Sequence, residues 1–268
     1  SGWTDPEPRV SGKGDDMLRD AGILVDVGLF ADKARQINQG FLSKVERNRP
    51  LITLKLASTI DARSATSTGE SQWITGPSAR EDGPRLRATH DSILVGAATV
   101  IADNPTLTCR LPGREQQSPV RVVLDRTGTV PTSAKLVTSA GNVPTWIVTS
   151  EPHFAELSEK FEKTSVKVIF ARCADDHFNL HDVMRKLAEE GLTRILVETG
   201  GTLGAALVRD SLVDRVVHYV APSMIGGDGK AMIAELGLKQ LANMPQFERA
   251  SVHAVGQDIA VTYDKITE

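Results

Sequence analysis

Short apolar segments alternate with amphipathic helical segments along most of the chain. The apolar segments, each of strand length, lie at 51–57 (LITLKLA), 92–95, 120–124, 145–148, 166–170, 194–197 and 213–220. Strands that are separated by helices pair in parallel, with the helices covering the sheet on both faces. The alternation therefore predicts an α/β fold with a mainly parallel sheet. Residues 253–263, which turn at Gly256-Gln257-Asp258, predict a closing antiparallel hairpin.

The first 48 residues follow a different pattern. Met17 and Leu18, followed by Gly22, predict a short helix, residues 23–27 a strand, and residues 31–45 an amphipathic helix. A charged segment that closes at Pro50 then marks a boundary. In the main part of the chain, Asn179 is predicted to cap the helix that ends at Gly191.

Composition excludes several classes of protein. The 268 residues are 40% hydrophobic and 24% charged, which suits one large or two small globular domains. A net charge of −3 and 4% aromatic residues disfavour a nucleic-acid partner. No apolar run is long enough to span a bilayer. Cys109 and Cys173 lack the spacing of a disulfide framework or a zinc site. We therefore expect a cytoplasmic chain with neither metal nor membrane.

A glycine-rich turn, Thr199-Gly200-Gly201-Thr202-Leu203-Gly204, follows the strand that ends at Glu198. Glycines at a helix start expose N–H groups that favour a phosphate or pyrophosphate. The same residues also suit a tight strand-to-helix connection, and both interpretations stay open. Glu198 itself lies where ligands of α/β sheets gather, beyond the carboxyl end of a strand. It is either a proton-transfer or sugar-binding carboxylate, or a salt-bridged strand end.

Lys55 interrupts a buried apolar run, where an unpaired ammonium is costly. It either pairs with a carboxylate or points into a pocket to contact a substrate oxygen. Asp61 and Arg63 follow and could be a surface pair. Gly83-Pro84 is expected to kink or restart the helix that carries Arg87.

Polar loops complete this edge of the sheet. Residues 68–75 place Ser71 and Trp73 in a hydrogen-bonding segment, and a tryptophan in a loop covers the core or walls a flat ligand. Arg80, Arg85 and Arg87 follow, and a guanidinium suits a sugar phosphate unless it is merely solvated. Residues 95–110 form a third such loop, with an Asp-Asn-Pro turn.

The motifs LKLASTIDAR, GESQWITGP, LRATHDSILVGAATVIADNPTLTCR, ILVETGGTLGAALVRDSLVD and HYVAPSMIGGDGKA occur in that order. Together they resemble the reductase domain of bacterial bifunctional riboflavin-biosynthesis enzymes. Those enzymes join a diaminohydroxyphosphoribosylaminopyrimidine deaminase to a 5-amino-6-(5-phosphoribosylamino)uracil reductase. The resemblance implies a three-layer fold like that of dihydrofolate reductase, NADPH as hydride donor, a phosphorylated ribosylaminopyrimidine as substrate, and a homodimer.

The resemblance also divides the chain. Residues 49–268 are expected to be the NADPH-dependent reductase domain, and residues 1–48 a remnant of the deaminase end and its linker. The deaminase signature, H-x-E with P-C-x-x-C, does not occur in the sequence, so no deamination is expected.

Site residues follow from the same resemblance. It assigns NADP contacts to Ala57, Trp73, Thr99, Asp103 and the pyrophosphate loop Gly200, Gly201, Thr202, Leu203, Gly204, Ala205 and Ala206. It assigns substrate contacts to Ser71, Arg87, Leu107, Arg110 and Glu198, and places Lys55 near the reacting ribose. Lys55 and Glu198 are thus the candidate catalytic residues, which would orient the ribose while hydride reaches its C1′ carbon.

The chain departs from the family at three places. Ala62 replaces a glycine in an Asp-Gly-Arg motif, Gly83-Pro84 interrupts a helix, and Arg126 replaces a serine near the cofactor. Arg126 is either a ligand for the 2′-phosphate of NADP or a solvated turn residue. Two alternative functions remain at this point: a related pterin or pyrimidine reductase, and a non-catalytic NADPH-binding domain.

Overall fold

The computed structural model describes residues 2–7 and 9–266. The helices are α1 Lys13–Asp20, α2 Ala31–Ile37, α3 Gln39–Arg47, α4 Pro77–Ala88, α5 Ala97–Asp103, α6 Lys135–Thr138, α7 Phe154–Phe161, α8 Leu180–Glu189 and α9 Gly201–Arg209. The strands are β1 Leu51–Thr59, β2 Arg63–Ala65, β3 Ser92–Gly96, β4 Val120–Leu124, β5 Thr145–Ser150, β6 Val166–Ala171, β7 Cys173–Ala174, β8 His177–Phe178, β9 Arg194–Glu198, β10 Arg215–Ala221, β11 Lys230–Ala231, β12 Phe247–Val255 and β13 Asp258–Lys265.

Nine of these strands form one sheet in the order β12-β13-β10-β1-β9-β3-β4-β5-β6. The pairs β1/β10, β9/β3, β3/β4, β4/β5 and β5/β6 are parallel, whereas β13 pairs antiparallel with both β10 and β12. The predicted α/β class, the mainly parallel sheet and the antiparallel carboxyl-terminal hairpin are confirmed. All seven predicted strands are present, each displaced by at most a few residues.

Helices cover both faces of the sheet, as the alternation predicts. Ala57 on β1 faces α4, where it joins a cluster that includes Ala79 and Tyr219. Leu54 points to the opposite face, because neighbouring residues of a strand alternate, and there it meets Gly204 of α9. One part of the core lies under α5, α6 and α7, where side chains from the central strands are fully buried.

The chain divides into two compact units. One contains Met184–Arg194 together with the segment that ends at Leu51, and the other begins at Ile52 and contains the rest of the described chain. In the first unit the predicted short helix is confirmed as α1.

Two predictions for this unit were wrong. Residues 23–27 form no strand: the Ile23 N–H donates to the Leu18 carbonyl at 3.0 Å, and Ile23 and Leu24 are 51% and 99% exposed, so their side chains are not buried against a sheet. The predicted helix over 31–45 is two helices, α2 and α3, which are separated at Asn38. The Asn38 side chain donates a hydrogen bond to the Ala34 carbonyl (2.9 Å). Such a bond from a side chain to the local backbone competes with continuation of the helix.

Helix α4 also differs from expectation, because it runs without interruption through Gly83-Pro84. A proline within a helix removes one backbone hydrogen bond, but the remaining turns continue to Ala88. As a result, one helix carries both Asp82 and Arg87 over the same face of the sheet. The predicted cap of α8 is confirmed, since Asn179 Oδ1 accepts the Asp182 N–H at 3.0 Å.

Candidate active site

A mostly buried ion pair joins α4 to the end of β9. Arg87 Nε and Nη2 each donate to one carboxylate oxygen of Glu198, and both distances are 2.9 Å. The two side chains are only 15% and 14% exposed. A forked guanidinium matches a carboxylate in this bidentate manner, and a partly buried pair of this kind is held rigidly. The contact thus brings together two residues that the sequence assigns to one site.

Glu198 stays ionised in this environment. Burial alone would raise the pKa of the carboxyl, but the nearby charge of Lys55 and the hydrogen bond and charge of Arg87 outweigh burial. The pKa of Glu198 therefore lies below its ordinary value, and the charge of His90 adds to the shift. A carboxylate held in this state accepts hydrogen bonds but does not donate a proton at neutral pH.

Lys55 is the third member of this cluster. It lies on β1, next to β9 in the sheet, and its Nζ is 5.7 Å from the centre of the Tyr219 ring. The Tyr219 hydroxyl donates to Asp82 Oδ2 at 2.6 Å. Burial raises the pKa of Tyr219, and the hydrogen bond to Asp82 raises it further, so the phenol stays neutral. The aromatic face and the Glu198 carboxylate thus both stabilise the ammonium in a half-buried position.

The turn at Leu107 lies beside this cluster. Arg87 Nη1 donates to the Thr108 carbonyl at 3.1 Å, so the arginine that pairs with Glu198 also contacts the turn. Leu107 is 4% exposed and belongs to the core. Arg110 is exposed, and its Nη2 donates to Thr106 Oγ1 at 3.2 Å.

The glycine-rich loop forms the first turn of α9. No side chain caps this turn, and a Cβ on Gly200 would meet no atom within 4 Å, so the space before the helix is open. Gly201 has a separate structural role, because a Cβ there would lie 3.0 Å from the Ala234 nitrogen and 3.1 Å from the Ala231 carbonyl oxygen. The structural interpretation therefore applies to Gly201, and the phosphate-binding interpretation stays a prediction for Gly200. Uncapped N–H groups facing open space fit a pyrophosphate.

The other predicted cofactor residues are more dispersed. Ala57 is half-buried on β1, Thr99 lies within α5, and Asp103 is exposed at its end. Ser71 and Trp73 lie on an exposed loop, where the Arg80 guanidinium stacks 4.7 Å from the Trp73 ring. None of these five described residues makes a polar contact with the Arg87–Glu198 pair.

The Asp61-Ala62-Arg63 turn is not a surface ion pair. Asp61 accepts the Thr59 hydroxyl at 2.5 Å and the Gly226 N–H at 2.8 Å, so it joins two loops, and these hydrogen bonds lower its pKa. Ala62 occupies the left-handed region with φ 60°, where a glycine would be unstrained. With alanine at position 62, the turn is thus retained, but the backbone of this residue is strained.

Arg126 follows β4 and forms an ion pair with Asp176 at 3.1 Å, and Asp176 is 89% exposed. The Arg126 carbonyl accepts hydrogen bonds from Thr149 Oγ1 and Ser150 Oγ at 3.0 and 2.9 Å. The backbone is thus fixed while the guanidinium stays a third exposed.

Sequence reasoning missed four residues of this region: Asp82, His90, Arg121 and Tyr219. His90 contacts Leu86 O through Nδ1 (2.7 Å) and Thr53 Oγ1 through Nε2 (2.9 Å). Tyr219 is one of only two tyrosines and lies in an apolar strand, where its hydroxyl requires a buried partner. That requirement was a usable signal for Tyr219, whereas Asp82 resembles any polar helix residue.

Within residues 2–7 and 9–266, no group of histidine, cysteine, aspartate and glutamate side chains has the arrangement of a metal site. Over the same residues, no helix has both the length and the apolar character needed to cross a membrane. Cys109 is buried and Cys173 is exposed, and both are free thiols.

Comparison with known proteins gives a consistent result. The family model described as RibD C-terminal domain matches residues 50–261. The riboflavin biosynthesis protein RibD of Bacillus amyloliquefaciens is 38% identical over 259 residues, which cover 96% of this chain and 69% of that protein.

Two solved structures extend the comparison. RibD of Acinetobacter baumannii has a TM-score of 0.87 at 31% identity, and the match covers 98% of this chain and 71% of that one. A diaminohydroxyphosphoribosylaminopyrimidine deaminase/5-amino-6-(5-phosphoribosylamino)uracil reductase of Thermotoga maritima has a TM-score of 0.80 at 28% identity, covering 99% of this chain and 70% of that one. The chain therefore spans about 70% of the length of these relatives.

Proposed function

The chain belongs to the RibD C-terminal domain family, and from that premise we propose that it is the reductase of riboflavin biosynthesis. Its substrate would be 5-amino-6-(5-phosphoribosylamino)uracil, and its product the corresponding ribitylamino compound. The observation that carries this proposal is the bidentate Arg87–Glu198 pair beside Lys55. Lys55 and Glu198 lie on the adjoining strands β1 and β9, in a fold that matches the solved RibD structure of Acinetobacter baumannii.

NADPH is the proposed hydride donor. The uncapped first turn of α9 and the open space before Gly200 fit its pyrophosphate, and the exposed face of Trp73 fits a planar ring. When bound, the nicotinamide supplies the hydride that reduces C1′ of the opened ribose. The Arg126 guanidinium, whose partner Asp176 is almost fully exposed, is available to a 2′-phosphate and supports NADPH over NADH.

The residues of the chain would hold the substrate and move one proton. Arg87 is fixed by Glu198 and by Thr108 O, so it would present its remaining edge to the anionic part of the substrate, its phosphate. Ser71, Leu107 and Arg110 would complete the substrate contacts. Glu198 is ionised and accepts hydrogen bonds, so it would orient the ribose hydroxyls. Of the two candidate catalytic residues, Lys55 and Glu198, Lys55 is then the one that would deliver the proton to the ribose ring oxygen as the ring opens.

The test is a turnover assay on the purified chain. With NADPH and the deaminated ribosylaminopyrimidine phosphate, we expect loss of the reduced-nicotinamide absorbance in step with formation of the ribitylamino product. Binding of NADPH without its consumption would instead assign the chain to a non-catalytic class. Consumption with a folate but not with the ribosylaminopyrimidine would assign it to pterin reduction.

We further propose that residues 1–48 correspond to the end of a deaminase portion and its linker. The family model begins at residue 50, and the relatives are longer proteins, one of which is named as a deaminase/reductase. Exposed apolar side chains such as Leu24 and Phe30 support a packing partner for this segment. An assay for ammonia release from the diaminopyrimidine substrate should show no deamination by this chain.

A homodimer and a cytoplasmic location complete the proposal. Strand β12 lies at the edge of the sheet, and its seven residues from Glu248 to Ala254 are all exposed. An uncovered edge strand of this length favours a second copy as its partner. Light scattering on the purified chain, which measures its molar mass in solution, tests the dimer. The two free thiols are consistent with a reducing compartment such as the cytoplasm.

A further inference from the structure

Two arginines that lie on different elements hold the turn at Thr106-Leu107-Thr108 from its two ends. Arg87, on α4, donates from Nη1 to the Thr108 carbonyl at 3.1 Å. Arg121, on β4, donates from Nη1 to the Thr106 carbonyl, also at 3.1 Å. Leu107 lies between the two bonds.

Leu107 has a backbone conformation that requires support. Its φ of 52° lies in the left-handed region, which costs a branched residue roughly 1–2 kcal/mol. Such a conformation persists only where the surroundings determine it, and strained residues of this kind concentrate at functional sites. Leu107 as a whole is 4% exposed, whereas Thr106 and Thr108 on either side of it are half-buried, so the turn would meet a ligand through these flanking residues.

Arg121 is unusual for a strand residue in a core. It is fully buried, and its guanidinium donates to Ser139 Oγ at 2.8 Å, Leu136 O at 2.9 Å and Val143 O at 2.7 Å as well as to Thr106 O. None of these acceptors is a carboxylate, and burial lowers the pKa of Arg121 to about 10. An apolar residue would fill this position at lower cost, so the charge is explained by what its hydrogen bonds hold in place.

We propose that Arg121 is a positioning residue of the active site: it fixes the Thr106 carbonyl so that the backbone of the Leu107 turn faces the substrate next to Arg87. This inference rests on the proposed function. It adds a residue that would contact neither substrate nor cofactor and that would act through the turn alone.

The test compares Arg121→Lys with the matched control Ser139→Ala. Lysine retains a positive charge, but its donors lie on one nitrogen, whereas Arg121 reaches Thr106 O from Nη1 and the Leu136 and Val143 carbonyls from Nη2. We expect the Michaelis constant for the ribosylaminopyrimidine to rise about tenfold, with the NADPH dissociation constant and kcat almost unchanged. Ser139→Ala removes another acceptor of the same Nη1 but leaves the bond to Thr106, so it should leave this Michaelis constant unchanged.

Hydrogen–deuterium exchange gives a readout that does not depend on turnover. Backbone amides of residues 106–108 should exchange faster in Arg121→Lys than in the wild-type chain or in Ser139→Ala. If the variant binds NADPH normally and both the Michaelis constant and the exchange are unchanged, the inference is overturned. Loss of substrate and NADPH binding to the same extent in a folded variant would also overturn it, because that result indicates a general structural role.

A second variant covers the case in which Arg121→Lys does not fold. Arg121→Gln buries no charge, and its side-chain NH2 group has only two donors, so it cannot bond Thr106 O, Leu136 O and Val143 O together. The Michaelis constant for the substrate should again rise while NADPH binding stays normal, and an unchanged constant would refute the inference. Failure of the wild-type chain to reduce the substrate would refute the proposed function, whereas the exchange rates would still show whether Arg121 holds the turn.

Discussion

Arg87 and Glu198 are 111 positions apart in the sequence, yet their side chains share two parallel hydrogen bonds of 2.9 Å inside the protein. The pair joins the last turn of α4 to the carboxyl end of β9. It therefore fixes the helix that carries Asp82 against the strands that carry Lys55 and Tyr219. We therefore expect both the packing of α4 and the geometry of the candidate site to depend on this contact.

Removal of one partner should be costly. Arg87→Ala leaves Glu198 buried without its bidentate donor, so we expect the free energy of unfolding to fall by about 3 kcal/mol. Urea unfolding measures this loss, and Arg85→Ala, on the same helix but 76% exposed in its side chain, is the control. A loss of less than 1 kcal/mol for Arg87→Ala would show that the pair does not hold α4.

The pair also predicts how stability depends on pH. The pKa of Glu198 is lower in the folded chain than in the unfolded chain, where it has its ordinary value. Its contribution to stability is therefore complete above the unfolded pKa and is lost as the pH falls through the folded pKa. Glu198→Gln should flatten the acid side of the stability curve, measured by urea unfolding at a series of pH values. Glu81→Gln, an exposed change on α4, should leave the curve as it is.

Lys55 should matter for turnover more than for folding. Lys55→Met removes the ammonium that we assign to proton delivery, so we expect kcat to fall about a hundredfold, while NADPH binding remains. Lys167→Met is a matched control, because Lys167 also lies over an aromatic ring, that of Trp146, at 5.1 Å. A wild-type rate in Lys55→Met would leave Lys55 with a structural role only.

The hydroxyl of Tyr219 should stabilise the chain through Asp82. Tyr219→Phe retains the ring under Lys55 but removes the 2.6 Å hydrogen bond, so we expect a loss of about 2 kcal/mol in the free energy of unfolding. Tyr263→Phe, at the other tyrosine of the sequence, serves as the control. Equal effects of the two substitutions in thermal or urea unfolding would contradict the importance of the buried bond.

Ala62 offers a stabilising substitution. Because its φ is 60°, Ala62→Gly should relieve strain of roughly 1–2 kcal/mol, offset in part by the greater freedom of glycine in the unfolded chain. The net gain should be about 0.5 kcal/mol. Ala98→Gly, in an exposed position of α5, should instead destabilise the chain by about 1 kcal/mol. Two changes of the same type with opposite signs would establish that backbone conformation is the cause.

Local patterns predicted the strands well, because a buried strand is a short apolar run whatever its neighbours are. The same local reasoning failed where a partner decides the outcome. Residues 23–27 have the composition of a strand but meet no neighbouring strand, and the helix predicted over 31–45 breaks where the Asn38 side chain donates to the Ala34 carbonyl. Pro84 was expected to disrupt α4, yet the contacts of the surrounding turns keep the helix continuous.

The amino-acid sequence alone determined the α/β class, the antiparallel hairpin, the family resemblance and the residue types of the candidate site, since these depend on periodicity and on motifs within short segments. Only the tertiary structure decided that Glu198 is paired with Arg87, that Lys55 lies over Tyr219, and that Gly201 is required by a neighbouring backbone. Arg121 shows the reason. The role of a charged residue in a strand can be assigned only when its hydrogen-bond acceptors are known. Folding, not proximity in the sequence, brings the guanidinium to its acceptors on Thr106, Leu136, Ser139 and Val143.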